Sequence, residues 1–344
     1  MDGLKEFFSG KNILFFSVQT FNLEKQIKEK LENLGASVVY FDERPSNSNF
    51  TKGIIRLKRS FYQKKINKYY QNILNETSKQ HFDFMFVNRG EVITSFFLEN
   101  FKKSHPTCFL VFYTWDSFSN HVHPTSILKF FDRKLSFDPE DSKKYNINFR
   151  PLFFLDSFKN LATNSPIKID LLFLGTAHSD RYKISTIIKK WCNNNGLSCY
   201  CYYFMHGRLV YFYKKIFDKT FNEFRYKYLS FKALLLPEIL ELYKNSDVIL
   251  DVNHPNQKGL TMRTFEALGA GKKLITTNQE IKKFPFFNEN NVYLINRKHI
   301  KLDYTFFNSP YINPDEKMYN RFTMEGWLYN IFIDPEADYW NKII

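Results

Sequence analysis

The chain reads as an α/β protein of two halves, each built on a parallel sheet. Three observations point there. Its 344 residues suit two domains, at about 100–200 residues each. Asn12-Ile-Leu-Phe-Phe-Ser17 is a continuous apolar run; apolar residues then recur at helical spacing from Phe21 to Leu34, stop at Gly35, and give way to a second run at Ala36–Phe41. A strand–helix–strand unit of about 30 residues is the mark of a parallel sheet. The same order restarts at Ile169–Thr176, with a helix over Arg181–Asn195 and a strand over Ser198–Phe204.

The elements between follow from the same logic. Phe82–Val87 and Thr107–Tyr113 are strand-length apolar runs, and Lys134–Phe137 is a shorter one. Asp138-Pro139 opens a short helix, since aspartate accepts from free N–H groups and proline has no N–H to lose at that position. Phe149–Phe154 closes the first half. The expected division is therefore a domain over 1–155, a linker over 156–168, a domain over 169–314, and helices over 315–344. In the second half, Leu235–Lys244 reads as a helix and Asp247–Asp251 as a buried strand; Met318–Phe332 and Ala337–Ile344 read as helices.

Composition narrows the class. Hydrophobic residues make up 44% and charged residues 24%, as in an ordinary globular chain. The N-terminus lacks a basic start followed by an apolar core, and no apolar run reaches the ~18–20 residues that span a bilayer. Cys108, Cys192, Cys199 and Cys201 have no paired zinc spacing, so reduced thiols and a cytoplasmic location are expected. The formal net charge of +14 favours an acidic partner: an anionic lipid surface, a nucleic acid or a phosphorylated substrate.

The richest stretch runs from Asp251 to Asn278. It holds a strand end, a polar loop broken by Pro255 and Gly259, and a helix carrying Arg263, Glu266 and Ala267, capped by Thr261 or Thr264. Gly269 and Gly271 stop that helix before a strand at Lys273–Thr277. A loop feeding a helix N-terminus is a ready anion site, because free N–H groups and the helix dipole point at the ligand. Over roughly 245–280 this stretch resembles the donor-sugar half of GT-B-type glycosyltransferases, in the wording of bacterial enzymes that build lipopolysaccharide or capsule. Glu266-Ala267-Leu268-Gly269-Ala270-Gly271 matches the family's glutamate before a small-residue helix. The resemblance implies two facing Rossmann-like domains, a last helix crossing back to the first domain, and Glu266 on the ribose hydroxyls of a nucleotide-sugar. Where many retaining members carry a second glutamate, Lys258 stands here, so the stereochemistry is left open.

Further donor-site candidates surround that motif. Gly175 and Thr176 form a turn after the first strand of the second half, where backbone approaches a diphosphate closely, and Arg181 follows with a charge. Lys258 and Arg263 can meet the charge that develops on a departing nucleoside diphosphate. His254 and Gln257 can bond sugar hydroxyls or phosphate, and Gly259, Leu260 and Thr261 complete the loop. No Asp-x-Asp pair occurs in the sequence, so no metal and no other cofactor is expected. In the first half, Asn88-Arg89-Gly90-Glu91 and Thr114-Trp115-Asp116-Ser117 each follow a strand. Asp116 and Glu91 are the candidate bases for an acceptor hydroxyl, and His121 and His123 can line its pocket.

Two basic-aromatic tracts, Lys52–Tyr70 and His206–Lys232, can lie on anionic membrane. The expected function is transfer of a sugar from a nucleotide-sugar to a lipopolysaccharide, capsule or other surface-glycan acceptor at the inner face of the bacterial cytoplasmic membrane. A basic nucleic-acid-binding protein and a non-catalytic binding subunit of the same fold are the alternatives.

Overall fold

A computed structural model describes residues 2–46, 59–159, 161, 168–218, 221–255 and 257–344. The chain divides into two compact units: Met1–Pro151 together with Met324–Ile344, and Leu152–Thr323.

Among the described residues the first unit carries a six-stranded sheet: β1 (Asn12–Ser17), β2 (Ser37–Asp42), β3 (Phe84–Asn88), β4 (Phe109–Thr114), β5 (Arg133–Ser136) and β6 (Asn148–Phe149). Its order is β2-β1-β3-β4-β5-β6 and its pairings are parallel. Helices at Leu23–Asn33, Gln63–Thr77 and Ser95–Ser104 cover it. β1 is a continuous apolar run because both its faces are covered: Ile13 to Phe16 are fully buried. Asp138 caps the Pro139–Tyr145 helix by accepting from the N–H groups of Glu140 and Asp141.

The C-terminal segment completes this unit. On the Met324–Phe332 helix, Trp327 packs edge-on against Phe86 and Tyr113, and Phe332 meets Phe8, Phe84 and Phe86. Arg133 donates to the Ile331 and Ile333 carbonyls at 3.0 Å each. Arg150 lies over the Trp340 ring of the Ala337–Trp340 helix.

The second unit has its own parallel six-stranded sheet: β7 (Ile169–Thr176), β8 (Cys199–Phe204), β9 (Leu229–Ser230), β10 (Ser246–Asp251), β11 (Lys273–Thr276) and β12 (Val292–Leu294). The order β12-β11-β10-β7-β8-β9 is a doubly wound sheet whose winding reverses between β7 and β10.

The junctions differ from the sequence-based boundaries of 155 and 315, and packing explains both. Leu152 to Leu155 are buried with the second unit, where Phe154 donates its N–H to the Phe322 carbonyl. A Cβ on Gly269 would sit 2.6 Å from the Phe154 ring, so the bare glycine is what lets Phe154 in. The Glu316–Arg321 helix stays in the second unit too: Tyr319 donates to the Gly269 carbonyl at 2.9 Å, and Phe322 stacks on Phe265. Within the expected linker, Asp156–Phe158 is a 3-10 turn with Phe158 against Tyr243, while 160 and 162–167 lie outside the described residues.

Candidate functional site

Ligands of open parallel sheets bind beyond the strand carboxyl ends where the winding reverses, because the chains leaving the two strands diverge there and open a crevice. In the second unit that point lies between Thr176, ending β7, and Asp251, ending β10. Arg181, the first residue of the Arg181–Asn194 helix, spans it. Its Nε donates to the Val252 carbonyl at 2.7 Å and a terminal nitrogen donates to the Thr176 carbonyl at 3.2 Å. Gly175 makes room for this, since a Cβ there would stand 3.2 Å from the guanidinium. Among the described residues no carboxylate is within ion-pair distance of Arg181; both its bonds go to neutral carbonyls. Burial, with Arg263 and Arg297 nearby, pulls its pKa down to about 10, against Asp251 and Asp180.

The polar loop after β10 is held from below. Buried Asp251 accepts from the hydroxyls of Thr261 at 2.8 Å and Thr264 at 2.9 Å. Thr261 therefore occupies the N-cap position of the Met262–Gly269 helix without capping it, and that helix start lacks a side-chain acceptor. Gln257 donates to the Gly259 carbonyl at 2.9 Å, and Asn278 donates to the carbonyls of Lys258 and Gly259. Gln257 thus braces the loop. Gly259 and Leu260 are buried, whereas Lys258 is half exposed and 3.9 Å from Glu280. Arg297 ties the neighbouring loops: one terminal nitrogen donates to both carboxylate oxygens of Asp180 at 2.8 and 2.9 Å, and the other donates to Asn253, whose side-chain oxygen also accepts from Thr277.

Arg263 and Glu266 meet each other one helical turn apart. Oε2 of Glu266 accepts from Arg263 at 2.6 Å and from the Tyr243 hydroxyl at 3.0 Å, while Arg263 also donates to that hydroxyl at 2.9 Å. Burial opposes the charge on Arg263, but Glu266 and Tyr243 overcome it and raise its pKa. Arg263 therefore fixes Glu266 in place rather than standing as an unengaged cation.

Two histidines report the field at this end of the sheet. His178 and His254 lie with ring centroids 5.7 Å apart. Burial, then Arg181 and His254, hold His178 down to about 2; burial, then Arg181 and Arg297, lower His254 as well. Three guanidiniums gather here. Arg263 is paired with Glu266 and Arg297 with Asp180, while Arg181 is held by carbonyls beside two neutral imidazoles and a helix start without a side-chain cap, a combination that suits an anion such as a diphosphate. Among the described residues no group of His, Cys, Asp or Glu side chains is arranged to hold a metal ion.

The carboxyl ends of β3 and β4 in the first unit carry a different cluster. Glu91 is 5% exposed, ion-paired with Arg44 and 3.6 Å from Arg89. Burial favours its neutral form, but Arg89, Arg44 and His121 together lower its pKa. Asp116 lies 3.0 Å from Arg89 and 3.8 Å from His121, and its side chain is 32% exposed. Of the two candidate bases, Asp116 is the one solvent reaches. His123 turns to the Ile93 carbonyl at 2.7 Å. Glu43, which sequence reasoning missed, is fully buried beneath this cluster and accepts from the Gly90 and Val92 N–H groups. Burial pushes its pKa up to about 7, with Glu91 adding to the rise and the backbone bonds and Arg89 opposing it. Arg89 and Gly90 both have positive φ, 99° and 71°. A non-glycine residue in that region is strained, a state found where function or dense bonding holds it.

Sequence reasoning also missed Arg297, Asn253, Tyr243 and Asn278. Arg297 lies 46 residues past Asp251 in an unremarkable polar run. A strand-end Asp-Val-Asn with a hydroxyl ten residues on was the available signal for the Asp251–Thr261 bond.

No protein-family model matches the chain, and no curated protein matches it. Solved structures do. A glycosyltransferase from Rickettsia africae ESF-5 is 11% identical, with a TM-score of 0.55 over 97% of this chain and 98% of that one. Anabaena HepE in complex with UDP and glucose is 12% identical, with a TM-score of 0.54 over 91% and 95% of the two chains. HepE in complex with UDP-glucose gives 11%, 0.52, 97% and 100%. The likeness is one of fold, and the fold is of the GT-B class.

Proposed function

We propose that the chain is a glycosyltransferase that takes a nucleotide-sugar at the second unit and passes the sugar to a lipopolysaccharide, capsule or other surface-glycan acceptor without a metal. The observation that carries this reading is Arg181: a half-buried guanidinium at the winding reversal of the sheet, bonded among the described residues to carbonyls alone, beside two histidines kept neutral. A bound diphosphate supplies the missing anions. The uncapped start of the Met262–Gly269 helix adds N–H donors, and Glu266, held by Arg263 and Tyr243, suits ribose hydroxyls. The UDP bound to HepE, a protein of the same fold, supports a nucleoside diphosphate as the ligand class.

In the transfer, the acceptor oxygen bonds to the anomeric carbon as that carbon's bond to the diphosphate oxygen breaks. The leaving diphosphate takes the electron pair and meets Arg181 and Lys258. In an inverting transfer the acceptor proton passes to Asp116, with Glu91 the second choice. The lipid-linked acceptor places the protein peripherally at the inner face of the cytoplasmic membrane; no helix of the described residues is long and apolar enough to cross one.

Melting in the presence of UDP, ADP, GDP and a single-stranded oligonucleotide tests the reading. At least one nucleoside diphosphate should raise Tm, with the matching nucleotide-sugar turned over in EDTA. A Tm raised by the oligonucleotide alone would support the nucleic-acid reading instead. Nucleotide binding without hydrolysis or transfer across a glycan-acceptor panel would support a binding subunit.

A further inference from the structure

The two basic-aromatic tracts fold in opposite senses. In the Gln63–Thr77 helix the apolar residues Ile66, Tyr70 and Ile73 point into the core and Lys64, Lys65 and Lys68 face solvent, as in any surface helix. Residues 52–58 of that tract lie outside the described residues. The Arg208–Phe217 helix is inverted. Only Tyr211 is buried, while Leu209 is 85% exposed, Ile216 is 74% exposed, and Phe212, Tyr213 and Phe217 are exposed with them.

At 100° per residue these five side chains fall within one arc of about 140°. Lys214 flanks the arc on one side, and Arg208 and Lys215 on the other. Tyr226 and Tyr228 extend the surface, with Tyr226 stacked on Phe212. From 206 to 232 the sequence holds seven basic residues and two acidic ones, Asp218 and Glu223. The helix is anchored underneath by Tyr211, against Phe221, and by Lys215, which donates to the Phe224 carbonyl at 3.2 Å. It is a built element, not a frayed end.

We propose that this outward face inserts into the headgroup region of an anionic lipid bilayer, seating the second unit on a membrane. An apolar strip flanked by lysine and arginine, with tyrosines at its edge, is the chemistry of an interfacial helix. A second copy of the chain is a poor occupant. The two patches would bring like charges together, and one ten-residue helix, about 15 Å long and 10 Å wide, offers far less than the ~800 Å² per partner of a stable interface. Lys214 is also among the groups, after burial, Arg181 and His254, that keep His178 neutral, so the helix flank adjoins the cationic cluster. The purpose of the contact, bringing the donor site to a lipid-linked acceptor, rests on the proposed function; the contact itself does not.

Co-sedimentation of the full chain with phosphatidylglycerol–phosphatidylethanolamine vesicles tests it. The combined Leu209→Ser, Phe212→Ser and Ile216→Ser variant should lose at least about tenfold in partitioning, with UDP affinity unchanged and at most a small drop in Tm, since Leu209 and Ile216 face solvent and Phe212 gives up ring contacts with Tyr211 and Tyr226. Phe217→Trp should shift its emission to the blue on adding these vesicles, and raised salt should weaken binding. Parent-like partitioning of the triple variant overturns the proposal. So does a blue shift that appears without lipid as protein concentration rises, or equal binding to phosphatidylcholine vesicles. Failure of UDP to bind, with helix-dependent vesicle binding intact, would sink the transferase reading and leave this one standing.

Discussion

The two sheets end in clusters of opposite character. In the first unit, Arg44 and Arg89 are met by Glu91 and Asp116, and a buried carboxyl, Glu43, lies beneath. In the second unit, Arg263 is paired with Glu266 and Arg297 with Asp180, while Arg181 beside them bonds, among the described residues, carbonyls alone. The titrating groups show the contrast. Burial raises Glu43, with Glu91 adding to the rise; burial lowers His178, with Arg181 adding to the fall. Similar sheets of parallel strands thus present one cluster in which each arginine meets a carboxylate and one in which Arg181 is held by carbonyls instead. The fold supplies the position of a site, and the side chains at the strand ends decide its charge.

Making the first cluster resemble the second should cost the most. Glu91→Gln leaves Arg44 and Arg89 without their buried carboxylate, and breaking such a pair costs about 3–5 kcal/mol. Urea denaturation should show it; a loss below about 1 kcal/mol would mean the cluster is not held by this pair.

The pH dependence separates the clusters by sign. Glu43 has a folded pKa raised to about 7 from 4.5. Its stabilisation is complete below the unfolded value and is lost as pH rises through the folded one, roughly 3 kcal/mol in all. Glu43→Gln should flatten stability over that window. His178 runs the other way: its folded pKa is lowered to about 2 from 6.5, so its contribution is present above 6.5 and lost as pH falls. His178→Gln should flatten the acid side only. Identical pH profiles for both variants and the parent would remove the contrast.

Arg181→Ala should weaken UDP binding by about 1.5–3 kcal/mol, roughly tenfold to a hundredfold, as expected for hydrogen bonds to a charged group. Calorimetry with Arg89→Ala as the control sharpens the comparison, because that arginine is already neutralised and should leave UDP affinity unchanged. Lys258→Ala is the smallest effect. This half-exposed side chain should change UDP affinity by under about 1 kcal/mol; a larger loss would make it the main phosphate contact in place of Arg181.

Much of the fold was legible because both sheets announce themselves locally. β1 and β7 are continuous apolar runs followed by helical spacing, and those patterns depend on neighbours a few residues away. The N-cap at Asp138 was readable for the same reason. The glycines at 269 and 271 marked the helix end, but the need for Gly269 comes from Phe154, 115 residues earlier. The motif at 251–278 gave the place of Glu266 and Arg263. It left Arg263 open between a phosphate contact and a pair with Glu266 three residues on, and gave no sign of Tyr243, which the fold brings to both.

What the sequence determined alone was the α/β class, most strand positions, the excess of positive charge and the loop-and-helix stretch that the proposed donor site uses. These follow from periodicity, composition and turn chemistry, which act over a few residues. Tertiary structure decided which cations are neutralised and which are not. Arg297 reaches Asp180 across 117 positions and Arg181 reaches the Val252 carbonyl across 71. It also decided that one basic helix turns its apolar face inward and the other outward. Those outcomes depend on which strands become neighbours in the sheet, and no local pattern encodes a pairing made by the winding of the whole chain.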